Sequence, residues 1–286
     1  MSRVELSAGV VEYTDSGGDG PVLVLLHGLL MDGSLWDGVV ARLGGYQLAG
    51  YRCVVPTLPL GAHRVPARDD ADLSLPGMAR LVAEFCERLG LDQVTLVGND
   101  TGGAVVQLMM ADPTLAKCAA RVVLVSCDAF GNFPPGLTGR TLVAAGQLPP
   151  AGFGLFMQQL RVRAVRRMPM AFGWLTKRGD AATARWIRPV LSEAGIRRDA
   201  VRVLRSMRSA ARARLLVTTA ERLAEFKQPA LVVWASEDKV MPPEHGQRLA
   251  GLLPGGQLVE VADSYTLVPL DQPERLAALI REFMPG

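Results

Sequence analysis

Residues 97–103, Val97-Gly98-Asn99-Asp100-Thr101-Gly102-Gly103, form a glycine-rich turn between an apolar run and a segment with helical periodicity. A strand, a Gly-x-acid-x-Gly turn and a helix, in that order, are the context of a nucleophile elbow. Glycines flank Asp100 because larger side chains would collide with the neighbouring strand and helix. We therefore expect Asp100 to project above a sheet at a helix N-terminus, where backbone N–H groups favour negative charge. The alternative is an ordinary turn in which Asp100 only caps the helix.

Apolar runs resembling the one before the turn recur along the chain. They occupy residues 21–26, 51–56, 93–98, 121–126, 229–235 and 257–261. Runs that are apolar on both faces are typical of central parallel strands covered by helices. Helical patterns at 77–89, 102–111 and 272–284 separate them. The alternation predicts an α/β fold with a doubly wound, mostly parallel sheet, and segments 3–6 and 9–14 predict an antiparallel hairpin at its edge.

The strand–helix alternation stops between residues 131 and 225. This segment has helical patterns, no buried strand and many arginines. It predicts a helical cap (131–225) inserted into a core formed by residues 1–130 and 226–286. Its arginines are either an anion-binding surface or a solvated helical face, and the solvated face is the simpler interpretation.

Composition narrows the class of protein. The 286 residues are 49% hydrophobic with a net charge of +3, so a large core is available and no nucleic-acid partner is indicated. The four cysteines are scattered, which predicts free thiols.

We expect a cytoplasmic protein, because neither a secretion signal nor a membrane-spanning stretch is recognisable. We expect a small-molecule substrate, no membrane partner, and no metal or other cofactor, since no P-loop, HExxH or GxGxxG motif occurs. A homodimer is an open alternative to a monomer.

Further motifs agree with the elbow. His27-Gly28 ends an earlier strand, residues 232–243 combine a strand, an acid and two prolines, and residues 272–276 begin the last helix. With these motifs the chain resembles the α/β-hydrolase superfamily over nearly all of its length outside the cap. With an aspartate in the elbow, the chain resembles the branch of this superfamily that holds haloalkane dehalogenases and epoxide hydrolases. The stretches 58–64 and 127–135 resemble a bacterial subgroup that lacks the catalytic histidine.

The resemblance implies roles for particular residues. Asp100 would be the nucleophile, and Asp238 the acid that orients a base. The backbone N–H groups of Leu29 and Thr101 would form an oxyanion hole beside His27 and Gly28. Asp128, which ends another strand, is a second candidate for the acid, although capping of the turn into the cap is an equal alternative. We also include Trp36 among the candidate substrate-binding residues.

The expected base is missing. In the resembled family a histidine follows the last strand, seven residues before the proline of the closing helix, and that position is Thr266. The chain has three histidines. His27 belongs to the oxyanion loop and His245 is expected at the surface, whereas His63 lies at the same edge of the sheet as Asp100. His63, Tyr265 and Thr266 are therefore the candidates for replacing the base or occupying its place.

The missing base matters chemically. An ester on Asp100 needs a base that activates water for its cleavage, so without one turnover should nearly stop. Other groups of the branch are absent too: dehalogenases commonly hold the halide with a tryptophan and an asparagine, where this chain has Thr101 and Leu29. Epoxide hydrolases use cap tyrosines, and none lies in 131–225.

Three hypotheses follow. The first is a hydrolase-type enzyme that acts on a small apolar substrate through Asp100, with an atypical site. The second is a lyase, isomerase or cyclase in which Asp100 acts as a general acid/base, with a pKa set by burial. The third is a ligand-binding protein without catalysis, because fold does not imply function.

Overall fold

A central eight-stranded sheet dominates the computed structural model, which describes residues 1–44, 50–208 and 214–284. The strands are β1 Ser2–Leu6, β2 Gly9–Asp15, β3 Val22–Leu26, β4 Arg52–Thr57, β5 Val94–Asp100, β6 Ala119–Cys127, β7 Ala230–Ala235 and β8 Gln257–Val261. Their spatial order is β1-β2-β4-β3-β5-β6-β7-β8. The pairs β1–β2 and β2–β4 are antiparallel and the others are parallel. The predicted fold class and edge hairpin are confirmed.

Helices cover the sheet and connect its strands. Outside the cap they are α1 Asp37–Arg42, α2 Leu75–Arg88, α3 Thr101–Met110, α11 Pro243–Leu252, α12 Val268–Asp271 and α13 Pro273–Phe283, with a 3-10 turn at Gly33–Trp36. Helix α2 begins where Ser74 Oγ accepts a hydrogen bond from Gly77 N at 3.2 Å, which satisfies one of its free N–H groups. Strand β5 is buried along its whole length, so the turn that follows it is held by packing on both sides.

The described part of the segment between β6 and β7 consists of helices joined by turns and loops. It contains α4 Gly136–Ala145, α5 Pro150–Gln158, α6 Arg163–Arg166, α7 Asp180–Trp186, α8 Arg188–Ser192, α9 Ala194–Ser206 and α10 Leu215–Arg222, with 3-10 turns at Gln159–Arg161 and Leu223–Glu225. No strand occurs in its described residues 131–208 and 214–225. The domain boundaries at 131 and 225 remain predictions. Among the helices described for the chain, none has the length and apolarity needed to cross a membrane.

Several cap arginines tie segments of the protein together. Arg202 donates hydrogen bonds to the carbonyl oxygens of Arg68 at 2.9 Å and Asp69 at 3.0 Å, which join α9 to the loop after β4. Arg205 donates to the carbonyl of Leu148 at 3.0 Å within the cap. Both guanidinium groups thus bind backbone carbonyls. Arg202 is half-buried, whereas Arg205 is exposed to solvent as predicted.

Candidate active site

Asp100 occupies a sharp turn between β5 and α3. Its φ is 56° and its ψ is −129°, a backbone conformation that costs a residue with a side chain on the order of 1–3 kcal/mol. The turn fits tightly against β3, because a Cβ on Gly102 would lie 2.4 Å from the carbonyl oxygen of Leu26. Only glycine fits at 102, and the surrounding packing holds Asp100 in the strained conformation.

One oxygen of the Asp100 carboxylate is held by three donors. Oδ1 accepts hydrogen bonds from Thr101 N at 2.6 Å, Thr101 Oγ1 at 2.9 Å and Leu29 N at 3.4 Å. Gly28 makes this approach possible, because a Cβ there would lie 2.2 Å from Oδ1. The N–H groups expected to form an oxyanion hole therefore point at the side chain of Asp100 itself. Oδ2 makes no hydrogen bond to any residue that the structure describes.

A second carboxyl group lies behind Thr101. Asp128 directly follows β6 and is fully buried, and its Oδ2 lies 3.1 Å from Thr101 Oγ1. Its Oδ1 is buried without a hydrogen-bond partner among the described residues. Burial, reinforced by the negative charge of Asp100, raises the pKa of Asp128 well above its usual range. Burial also raises the pKa of Asp100, against the lowering effect of the hydrogen bonds from Thr101 and Leu29.

Thr266 occupies the place beside Asp238. Its Oγ1 donates a 2.8 Å hydrogen bond to Asp238 Oδ1, which also accepts from Val240 N at 2.9 Å and Met241 N at 2.8 Å. The carbonyl oxygen of Thr266 accepts from Asn99 Nδ2 at 2.8 Å, so its backbone is tied to β5. Burial raises the pKa of Asp238 to about 6. Thr266 is fully buried and has no ionisable group, and it does not line the cavity above Asp100.

Two of the histidines have structural hydrogen bonds. His27 Nε2 accepts from Leu58 N at 2.9 Å, so Nδ1 carries the proton and donates to Gly28 O at 2.8 Å. Burial lowers the pKa of His27 to about 4, so the ring is neutral at pH 7. His63 Nδ1 accepts from Gly61 N, and its Nε2 lies 3.3 Å from Asp199 Oδ2 on α9. His63 thus contacts the cap away from the cavity, and the structure does not bring it to Asp100.

Three further residues also lie elsewhere. Two ammonium groups lie over the ring of Tyr265, with Lys177 Nζ 5.1 Å and Lys239 Nζ 5.0 Å from its centroid. It does not line the cavity and is not positioned as a base. Trp36 is fully buried, its indole N–H has no partner among the described residues, and it does not line the cavity, so it is not placed to bind substrate there. His245 is half-buried against Phe130, with ring centroids 5.1 Å apart, which corrects the expectation that it lies at the surface.

A cavity of about 230 Å³ lies between Asp100 and the cap. Its polar side chains at the sheet edge are Asp100, Thr101 and Asp128, and Thr138, Thr141 and Gln159 from the cap complete the polar set. The rest of the wall is mostly apolar and includes Phe133, Phe156, Leu160, Met170, Phe172 and Met207. The volume is below the ~300–1,000 Å³ of pockets for drug-sized ligands, so it suits a small molecule.

Sequence reasoning missed part of this site. The cap residues of the cavity wall carry no motif, and the only signal for them is the presence of apolar and hydroxyl side chains among the cap arginines. Thr101 was expected to contribute only its N–H group, yet its hydroxyl lies between two carboxyl groups. The proximity of Asp128 to that hydroxyl depends on the pairing of β5 with β6, which no local pattern reveals.

The sheet order, the strained acidic elbow and the inserted cap together define a class of protein. The model of the alpha/beta hydrolase family matches residues 23–279, and the chain belongs to this family. The chain is similar to the 2-hydroxy-6-oxo-6-phenylhexa-2,4-dienoate hydrolase of Burkholderia cepacia, with 25% identity over 86% of this chain and 81% of that protein. It is also similar to haloalkane dehalogenase 2 of Mycobacterium tuberculosis, with 26% identity over 96% of this chain and 92% of that protein.

Solved structures agree on the fold. An esterase from Thermogutta terrifontis has 22% identity and a TM-score of 0.69, with 99% of this chain and 97% of that chain covered. The enol-lactonase of Burkholderia xenovorans LB400 has 18% identity and a TM-score of 0.73, with 99% of both chains covered. The family match and the sequence relatives identify the chain as an enzyme of the alpha/beta-hydrolase type.

Proposed function

We propose that the protein acts on a small, mostly apolar electrophile, and that Asp100 Oδ2 attacks its carbon to form an ester. The observation that carries this proposal is the asymmetry of the Asp100 carboxylate. Three donors hold Oδ1, whereas Oδ2 has no hydrogen-bond partner among the described residues and Asp100 lines the cavity. A carboxylate oxygen free of donors is the better nucleophile of the two.

The donors at Oδ1 suit the second half of such a reaction. After attack through Oδ2, Oδ1 becomes the carbonyl oxygen of the ester. Water that adds to this ester puts negative charge on Oδ1, where the N–H groups of Thr101 and Leu29 already point. Donors of this kind are worth roughly 10²–10³-fold in rate in an oxyanion hole.

Cleavage of the ester is the slow step in this proposal. The position beside Asp238 holds Thr266, whose hydroxyl is too weakly basic to activate water near pH 7. His63 and Tyr265 do not line the cavity. We therefore expect formation of the ester to be faster than its hydrolysis, and steady-state turnover of simple substrates to be slow.

A second candidate is supported by the two neighbouring carboxyl groups. Asp100 and Asp128 both have raised pKa values through burial and are joined through Thr101 Oγ1. Such a pair can hold a proton near neutral pH, which suits a lyase, isomerase or cyclase with Asp100 as general acid/base.

Intact-protein mass spectrometry separates the two candidates. Butyl bromide should add one butyl group to Asp100, with loss of bromide, and styrene oxide should add its whole mass. Asp100→Asn, which keeps the shape but removes the charge, should form neither adduct. If both reagents bind, as shown by thermal-shift titration, and still leave the wild-type mass unchanged, the nucleophilic role fails and the acid/base candidate is favoured.

A further inference from the structure

Asp100, Thr101 and Asp128 form a chain of oxygen atoms joined through one hydroxyl group. Thr101 Oγ1 lies 2.9 Å from Asp100 Oδ1 and 3.1 Å from Asp128 Oδ2. A hydroxyl group has a single hydrogen, so it cannot donate to both carboxylates at once. If both contacts are hydrogen bonds, one of the carboxyl groups is protonated and donates to the hydroxyl oxygen.

The surroundings of the two carboxyl groups decide which one holds this proton. Asp100 Oδ1 has two backbone N–H donors besides Thr101, and these stabilise a negative charge. In the described chain, Thr101 is the only hydrogen-bond partner of the Asp128 carboxyl group, whose Oδ1 is buried with no partner. An ionised Asp128 would therefore be a poorly solvated charge beside a second carboxylate, which is costly.

Other titratable groups near Asp128 do not offset that cost. The adjoining Cys127 is fully buried, and burial raises the pKa of its thiol well above the usual range, so it is neutral. Asp100 and Asp238 are the other carboxyl groups whose negative charge raises the pKa of this thiol. No lysine or arginine forms an ion pair with any of these carboxyl groups in residues 1–44, 50–208 and 214–284.

We propose that Asp128 is held protonated and donates from Oδ2 to Thr101 Oγ1, which in turn donates to Asp100 Oδ1. Asp128 is thus a positioning residue, which acts on Asp100 through the hydroxyl of Thr101. It fixes the direction of that hydroxyl, keeps the negative charge on Asp100, and leaves Oδ2 as the oxygen that reacts. The role of Asp100 Oδ2 rests on the proposed function, whereas the location of the proton does not.

Infrared difference spectroscopy tests the proton without any reaction. At pH 7 the wild-type protein should show the carbonyl-stretching band of a buried protonated carboxylic acid. The band should disappear in Asp128→Asn and persist in Asp100→Asn, because burial is the main reason for the protonation of Asp128. Asp112→Asn is the control and should leave the band unchanged. Hydrogen bonds from the hydroxyl and N–H groups of Thr114 lower the pKa of this surface aspartate. Absence of the band from the wild type, or its loss in Asp100→Asn, overturns the proposal.

Alkylation by butyl bromide tests the effect on Asp100. The Asp100 Oδ2–carbon bond forms, the carbon–bromine bond breaks, bromide leaves with the electron pair, and the proton stays on Asp128. Asp128→Leu, which cannot donate to Thr101, should slow alkylation at pH 7 by roughly tenfold. Asp128→Asn, whose amide can donate as the protonated acid does, should recover most of that loss. A rise of tenfold or more above the wild-type rate would show that the proton had been on Asp100, and would overturn the proposal.

Thr101→Val removes the hydroxyl that joins the two acids. It should slow alkylation at pH 7 by roughly tenfold, which corresponds to the loss of one hydrogen bond to a charged group. It should also shift the pH–rate profile to higher pH, because Asp100 loses a donor that lowers its pKa. Thr101→Ser keeps the hydroxyl and should restore both the rate and the profile. An unchanged pH–rate profile in Thr101→Val would contradict the proposed hydrogen bonds from Asp128 through Thr101 to Asp100. If the wild type is not alkylated at all, the proposed function fails, while the infrared band still tests the proton.

Discussion

Thr266 Oγ1 donates its hydrogen bond to Asp238 Oδ1 at 2.8 Å, so a hydroxyl group occupies the position beside the acid where the resembled hydrolases have a base. Two backbone N–H groups, of Val240 and Met241, bind the same oxygen of Asp238. Three donors thus hold one oxygen of the acid, although no imidazole is present for it to orient. The loop that would support a base is retained, whereas the base itself is not.

Thr266→His is expected to raise steady-state turnover of butyl bromide. An imidazole at this position would be next to Asp238 and could activate water above Asp100, and a general base contributes roughly 10²–10⁴-fold. Thr266 is fully buried, so the larger ring must extend toward the cavity to fit. Bromide release under multiple turnover measures the effect.

The matched control is Thr266→Val, which has nearly the shape of threonine and no hydrogen-bonding group. It should leave turnover as slow as in the wild type. If Thr266→His folds, as judged by circular dichroism, and its ester still persists in the mass spectrum, then Thr266 does not lie within reach of the hydrolytic water.

Asp238 should make the protein less stable as the pH rises from about 4 to 6. Its pKa is 3.8 in the unfolded chain and about 6 in the folded protein, so the folded protein binds the proton more tightly. The stabilisation is complete below pH 3.8 and is lost as the pH rises through 6. The lost free energy of unfolding is roughly 3 kcal/mol at most, from two pKa units at 1.36 kcal/mol each.

Urea unfolding of the wild type and of Asp238→Asn across this pH range isolates the contribution of Asp238. The difference in unfolding free energy between the two proteins should shift in favour of the variant as the pH rises, and should level off above about pH 7. A difference that is constant across the range would mean that the pKa of Asp238 is not raised by folding.

His63→Ala is expected to affect stability and not the chemistry. His63 Nε2 lies 3.3 Å from the buried Asp199 Oδ2, so its loss removes a contact between the core and α9. Asp199 keeps the N–H of Ala67 and the guanidinium of Arg202, so we expect a loss of about 1–2 kcal/mol in unfolding free energy. Urea unfolding measures this loss, and alkylation of Asp100 should continue at the wild-type rate. Unchanged stability together with loss of ester hydrolysis would instead assign the base to His63.

The fold was more predictable from sequence than the site was. Runs such as 21–26 and 121–126 are apolar on both faces, and only a covered parallel sheet buries both faces, so the strands could be located within a few residues. Asp100 could be recognised because its turn needs glycine at 98 and 102. The direction of a side chain in the loops at the sheet edge has no such local signal. Tyr265 was a candidate because it precedes the position of the expected base, yet the ammonium groups of two lysines lie over its ring.

Gly28→Ala should abolish alkylation of Asp100 while leaving the fold intact. The added Cβ would lie 2.2 Å from Asp100 Oδ1 and 2.6 Å from its Cβ, so the carboxylate must leave the donors at Thr101 and Leu29. We expect at least a roughly 100-fold slower reaction, since a displaced carboxylate is no longer aligned with the substrate carbon. Gly131→Ala is the matched control, because a Cβ there has nothing within 4 Å. It should react at the wild-type rate, and both variants should unfold cooperatively in urea. Wild-type alkylation in a folded Gly28→Ala protein would mean that the three donors at Oδ1 are not needed to orient the nucleophile.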